Sequence, residues 1–200
     1  RICGICGQAH LKATVEALEN VYENINEKLQ ITPKAKLLRE IGLNIEIIDS
    51  HLKWFYMFIM PDIIKLDTND LGIYMPLKGS RWMEAQKSAS ETIKALAIIG
   101  GQWPHTSYML PGGVMSDPTK LDLVMMQNYL QNTISFFEKS ISGTALENYL
   151  AFDGIDNLEN LINEVATEKM TEEEVKYLES LNAYKERYIE KMDDDFNTAD

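Results

Sequence analysis

The chain has 200 residues, 45% of them apolar, and a formal net charge of −12. This length allows one substantial core or two small ones. No apolar run reaches the roughly 18 residues that a membrane-spanning helix needs, and the acidic balance excludes a nucleic-acid partner, because phosphate backbones require basic patches. Residues 151–200 hold 15 acidic and 5 basic residues. The acidity therefore belongs to the C-terminal quarter, where it indicates a solvated helical face.

Both cysteines lie in the first ten residues, as Cys3 and Cys6, and His10 follows about one helical turn later. Two thiols separated by two residues can bind one metal ion, because the turn between them lets both sulfurs face inward. His10 is then a candidate third ligand or a hydrogen-bond donor to a metal-bound sulfur. A CxxC alone is equally compatible with a redox dithiol, half of a zinc site or an inert pair.

Apolar residues at helical spacing predict two long helices that pack as an antiparallel hairpin. The first covers roughly residues 9–29 and the second roughly residues 34–60, ending at Pro61. Thr32 is the predicted N-cap of the second helix, with Pro33 in its first turn. The second helix is apolar on more than one face, so we expect it to be central or covered by a partner. Its apolar residues outside the main stripe are Leu43, Ile47, Trp54 and Phe58.

Residues 61–116 are predicted to form a loop, a third helix and an irregular segment. Asn, Gly and Pro residues mark residues 61–80 as the loop. Ser80 is a suitable cap for a helix over roughly residues 81–99, which Gly100 and Gly101 would end. We expect an irregular loop or short β segment near residues 102–116.

A fourth helix is predicted over roughly residues 118–141, starting at Asp117-Pro118. A last helix is predicted to start at Thr171, whose spacing to Glu174 is that of a capping box. The fold class that follows is mainly α, a multi-helix bundle.

Three ordered stretches resemble the large, catalytic subunit of nickel–iron hydrogenases. The N-terminal string Arg1-Ile2-Cys3-Gly4-Ile5-Cys6 with His10 is similar to that family's first metal motif, and residues 33–56 are similar to its second helix. The string GGQWPH at residues 100–105, with GGV at residues 112–114, is similar to its glycine–proline–histidine loop. The resemblance extends to about residue 140 and implies a bundle like the core of that subunit.

The resemblance implies a nickel–iron site and heterolytic oxidation of H2 or reduction of protons. In the family, four cysteines hold nickel, and two of them bridge to an iron that carries cyanide and carbon monoxide. Carried over, Cys3 is a terminal nickel ligand and Cys6 a nickel–iron bridge. His10 resembles the histidine that hydrogen-bonds near the bridging sulfur. His105 resembles a histidine near the iron–sulfur small subunit, the implied partner, and is a candidate relay residue.

The family's second cysteine pair is missing from these 200 residues. We therefore expect residues 1–200 to be a single, mainly helical fragment of a larger subunit. Residues 1–142 would form the motif-bearing core and residues 143–200 an acidic helical extension. Because a site with half its ligands binds metal poorly, we expect the isolated chain to lack the nickel–iron centre, to be inactive and to self-associate.

Two other classes of protein remain open. One is a helical interaction module with a zinc or redox CxxC. The other is a relative of the quinone-module subunit of respiratory complex I, although that subunit lacks metal cysteines and Cys3 and Cys6 argue against it. The sequence shows no targeting signal, and we expect a location in the cytoplasm or at a membrane through partners.

Overall fold

The computed structural model describes residues 3–25, 28–66 and 71–151. It is mainly helical, as predicted. The helices are α1 (Gly7–Ile25), α2 (Pro33–Lys53), α3 (Met60–Leu66), α4 (Ser80–Gly100), α5 (Lys120–Phe137) and α6 (Leu146–Leu150). Two π-helical segments, Trp54–Ile59 and Glu138–Ser142, and a 3-10 turn, Gly72–Tyr74, join them. The short strands β1 (Met109–Leu110) and β2 (Gly113–Val114) form an antiparallel pair within the predicted irregular interval.

The start of α2 follows from local chemistry, as predicted. Thr32 has an extended backbone, and its hydroxyl oxygen accepts a hydrogen bond from the Ala35 backbone N–H at 3.2 Å. Pro33 occupies the first turn, where a backbone N–H would have no helical acceptor. The third helix also matches the prediction, except that Ser80 is its first residue rather than its cap. Gly101, with φ +75°, adopts the left-handed conformation that ends it.

One predicted boundary is wrong, and another lies within about two residues of its predicted position. The second helical stretch does not end at Pro61: the π-helical segment leads into α3, which continues to Leu66 through the predicted loop. Pro61 is the second residue of α3, which directly follows the π-helical segment, so the change of helical geometry coincides with the residue that has no N–H to donate to the preceding turn. The fourth helix begins at Lys120 rather than at Pro118, because Thr119 and Asp122 cap it reciprocally. Thr119 N donates to Asp122 Oδ2 at 2.8 Å, and Asp122 N donates to Thr119 Oγ1 at 3.2 Å.

Among the described residues, the chain divides into two compact units, one within residues 3–54 and 85–134 and one within residues 55–84 and 135–151. The proposed division at residue 142 remains a prediction, and the predicted helix from Thr171 lies outside the described residues. The helices that the structure describes include none with the length and apolar character to cross a membrane.

In the first unit, α1 and α2 run antiparallel. Residues early in α1 meet Glu46, late in α2, whereas Glu19, late in α1, meets Arg39, early in α2. The buried core of this unit combines the facing sides of both helices with parts of α4, α5 and the β hairpin. Its buried members are Val15, Leu38, Ile45, Ala95, Leu96, Ile99, Tyr108, Met109 and Met126.

The second unit is organised around aromatic side chains. The buried ring of Tyr56 stacks on Tyr74, with centroids 6.5 Å apart, and lies 5.9 Å from Phe136. Phe137 and Tyr149 meet edge to face at 5.0 Å. Burial raises the pKa of Tyr74 to about 12 and that of Tyr56 further. Both phenols are therefore neutral, and Tyr56 and Tyr74 pack the interior of this unit.

Candidate metal centre

Cys3, Cys6 and His10 converge at the N-terminus of α1. One potential ligand atom from each residue lies within 4.8 Å of the other two. The two cysteines are half-buried and His10 is exposed. The His10 backbone N–H donates to the Cys6 carbonyl at 3.2 Å, which is the first hydrogen bond of the helix. This bond places His10 one turn above Cys6, so the spacing predicted from the sequence does bring the three residues together.

The two thiols have different environments. Cys3 Sγ accepts hydrogen bonds from the backbone N–H groups of Cys6 and Ile5, both at 3.3 Å. The Cys6 N–H, the Cys6 thiol and the Ile5 N–H, in that order, lower the pKa of Cys3. Donation to Cys3, with burial, raises the pKa of Cys6. The turn therefore favours a thiolate on Cys3, and the thiolate is the form of cysteine that binds metals.

Glu46 of α2 caps the N-terminus of α1, and this role was not predicted from the sequence. Its side chain is buried, and its two oxygens accept hydrogen bonds from the backbone of α1. Gln8 N donates to Oε2 at 2.6 Å, and Ala9 N donates to Oε1 at 2.9 Å. Burial raises the pKa of Glu46, opposed by these two N–H groups. The sequence did contain a signal for this role: Glu46 lies between Ile45 and Ile47 in a helix predicted to be central. A charged residue that is buried there is expected to have a partner.

A buried polar network ties the cysteine motif to the segment after His105. Gln8 Nε2 donates to the Tyr108 hydroxyl at 2.6 Å, and the Thr106 hydroxyl donates to Gln8 Oε1 at 3.0 Å. The Tyr108 hydroxyl in turn donates to the Leu38 carbonyl at 3.0 Å. Gly42 permits this network: a Cβ there would lie 2.6 Å from Gln8 Nε2 and closer still to the Tyr108 hydroxyl.

His105 lies beside the cysteine turn but is not part of the ligand cluster found among residues 3–25, 28–66 and 71–151. A Cβ on Gly7 would be 3.8 Å from the His105 backbone nitrogen, so the backbone of His105 lies close to the first residue of α1. His105 is half-buried and has a φ of +69°, an uncommon conformation for a residue other than glycine. Gln102 Nε2 donates to its carbonyl at 2.8 Å. Its relay role remains a prediction.

A buried ion pair fixes the opposite end of the α1–α2 pair. The Arg39 guanidinium donates to both oxygens of Glu19, at 2.7 and 3.1 Å. It also donates to the carbonyls of Leu110 and Gly113, and Gly112 N donates to Glu19 at 2.7 Å. Arg39 lowers the pKa of Glu19. The pair thus joins both helices to the β hairpin.

The fold and the cluster define a mainly helical protein with a Cys-Cys-His group at the start of a helix that could hold a metal ion. Residues 1–69 match the family model of the nickel-dependent hydrogenases. This stretch contains Cys3, Cys6, His10 and Glu46, but not His105. The match confirms, for this stretch, the resemblance to the large subunit of nickel–iron hydrogenases.

Proposed function

We propose that this chain is part of the catalytic large subunit of a nickel–iron hydrogenase. The complete enzyme would oxidise H2, or reduce protons, by heterolytic cleavage. The observation that carries the proposal is the convergence of Cys3, Cys6 and His10 within 4.8 Å, inside the stretch that matches the hydrogenase family.

The donor set suits nickel and iron. Two thiolates supply soft, polarizable sulfur, which stabilises electron-rich transition metals. Cys3 would be a terminal nickel ligand and Cys6 would bridge nickel to an iron carrying cyanide and carbon monoxide. When bound, this group supplies the redox-active metals at which hydrogen is cleaved. The chain holds two of the four thiolates that the family uses, so the 200-residue chain by itself is proposed to be inactive.

The remaining residues have supporting roles in this proposal. The lowered pKa of Cys3 favours its thiolate form. The imidazole of His10, whose nearest ring nitrogen lies within 4.8 Å of both sulfurs, would donate a hydrogen bond to the Cys6 sulfur and tune its charge. His105, beside Gly7, would be a relay residue on the side of the iron–sulfur small subunit. That subunit and H2 are the proposed partners, in the cytoplasm or at a membrane through other subunits.

The test is a cysteine substitution in the full-length protein expressed with its small subunit. We expect Cys3→Ser and Cys6→Ser each to lower hydrogen-dependent dye reduction at least about a hundredfold, because a serine hydroxyl does not replace a thiolate as a nickel ligand. Thr14→Ser, an exposed position on the same helix, is the matched control and should retain activity. Retained activity in Cys3→Ser would contradict the proposal.

A zinc-binding or redox module is the second candidate, because the three ligand atoms already lie within 4.8 Å of one another without a second cysteine pair. A site of this kind would bind one Zn²⁺ for each 200-residue chain. The full-length protein would then contain zinc rather than nickel and iron. Metal analysis of the purified full-length protein separates the two: stoichiometric nickel favours the hydrogenase, and stoichiometric zinc alone favours the module.

A further inference from the structure

The N-terminus of α1 is capped by a residue from another helix. In an α-helix the first backbone N–H groups lack acceptors, and the side chain of the residue before the helix normally accepts from the second or third helical N–H. For α1 that preceding residue is Cys6, and Gln8 and Ala9 are the second and third helical residues. Their N–H groups instead donate to the two oxygens of Glu46, at 2.6 and 2.9 Å.

This arrangement leaves the Cys6 side chain available. Because Glu46 satisfies the two amides, the Cys6 thiol is not used for capping, and its sulfur lies within 4.8 Å of the Cys3 sulfur. Each Glu46 oxygen accepts a hydrogen bond from a different backbone N–H, so the carboxylate restrains two consecutive residues of the first turn. Glu46 is 2% exposed, and the Gln8 side chain is held separately by Tyr108 and Thr106. The first turn of α1 is therefore attached to α2 through its backbone, and to Thr106 and Tyr108 through the Gln8 side chain.

We propose that Glu46 is a positioning residue for the metal-binding turn: by capping α1 from α2, it sets the direction in which Cys6 and His10 face Cys3. The helix N-terminus carries partial positive charge, which supports a buried carboxylate at this position. The inference rests on the proposed function only for the identity of the metal, since the positioning itself is a property of the turn.

The first test measures the metal-free 200-residue chain by amide hydrogen exchange in NMR. The amides of Gln8 and Ala9 should be protected in the wild type and should exchange at least about tenfold faster in Glu46→Gln and Glu46→Asp. The amide group of Gln provides one acceptor in place of two, and Asp is one methylene too short to reach both N–H groups. Unprotected amides in the wild type, or unchanged exchange in both variants, would overturn the proposal.

The second test uses Co²⁺ as a probe of the same chain and follows the sulfur-to-cobalt charge-transfer absorption. We expect both Glu46 variants to bind Co²⁺ about 10- to 100-fold more weakly, as for other residues that orient metal ligands, and to show a changed band. Glu19→Gln, which removes a buried carboxylate at the far end of α1, should lower the urea midpoint but leave affinity and band unchanged.

The outcomes separate positioning from charge and from stability. Wild-type affinity in Glu46→Asp would show that only the negative charge matters, and an equal loss in Glu19→Gln would show that only stability matters; either result overturns the proposal. If the wild-type chain takes up no Co²⁺, the exchange of the Gln8 and Ala9 amides decides. An absence of nickel from the full-length protein would contradict the proposed function while leaving a Glu46-dependent turn intact.

Discussion

The two ends of the α1–α2 pair each contain a buried glutamate, and the two differ in what they contact. At the hairpin end, Glu19 is 6% exposed and is paired with Arg39, which lowers its pKa. At the cysteine end, Glu46 is 2% exposed, caps the backbone of α1 and has a raised pKa because of its burial. The comparison indicates that burial of a carboxylate does not define its role. The ion pair joins elements of the fold, whereas the cap sets the geometry of a candidate site.

The largest expected effect on stability is at the end of the α1–α2 pair that contacts the β hairpin. Arg39→Ala leaves the Glu19 carboxylate buried without its cation, and breaking a buried pair in this way destabilises a protein by about 3–5 kcal/mol. Urea unfolding followed by circular dichroism should show this loss. Lys12→Ala, which removes ion pairs with the exposed carboxylates of Glu16 and Glu40, should cost about 1 kcal/mol. Similar losses in the two variants would break the comparison.

The network at the cysteine end is tested by Gly42→Ala. The added methyl group must displace the Tyr108 hydroxyl or the Gln8 amide, so we expect a loss of about 1–3 kcal/mol. A Cβ on Gly113 meets nothing within 4 Å, and Gly113→Ala is therefore the matched control. Thermal unfolding measures both. Equal melting temperatures for Gly42→Ala and the wild type would show that Gln8 and Tyr108 rearrange without cost.

The pH dependence of stability should have opposite signs at the two ends. The pKa of Glu19 is lowered on folding, so its contribution is present above the unfolded pKa of about 4.5 and is lost as the pH falls through the folded value. The pKa of Glu46 is raised, so its contribution is present below about 4.5 and is lost as the pH rises through the folded value.

Urea midpoints measured from about pH 2 to about pH 7 test these signs. Relative to the wild type, Glu46→Gln should gain stability as the pH rises above about 4.5. Glu19→Gln should lose less stability than the wild type as the pH falls below about 4.5. Shifts in the same direction in both variants would show that the two carboxylates titrate alike, contrary to the difference in their contacts.

The smallest effect concerns the outer surface of the same helix pair. Leu37, Ile47, Ile48 and Trp54 are each at least 42% exposed, and apolar patches of more than a few hundred Å² seldom remain uncovered in monomers. We expect the 200-residue chain to self-associate at micromolar concentration and Ile47→Lys to weaken that association. Light scattering over a concentration series is the measurement, with the exposed substitution Asn44→Lys as the control. A monomer at all concentrations would contradict the expectation.

Local features of this protein were predictable from the sequence by itself. The helical repeats, the Thr32 cap with Pro33, the end of α4 at Gly100 and the convergence of Cys3, Cys6 and His10 all depend on residues within about one helical turn of each other. The resemblance to the nickel–iron hydrogenases was carried by the same short strings. Even local signals can compete: the helical stretch continues past Pro61, and Thr119 rather than Asp117 caps α5.

Tertiary structure decided the contacts that hold the candidate site. Glu46 reaches Gln8 across 38 positions of the chain, Gln8 reaches Tyr108 across 100, and Arg39 joins Glu19 to a hairpin more than 70 positions away. Spacing rules cannot select such partners, because any buried polar residue must find some acceptor or donor and only the packing of the helices determines which one it meets. The sequence by itself identifies the cysteine motif, whereas the orientation of its side chains depends on contacts with the neighbouring helix.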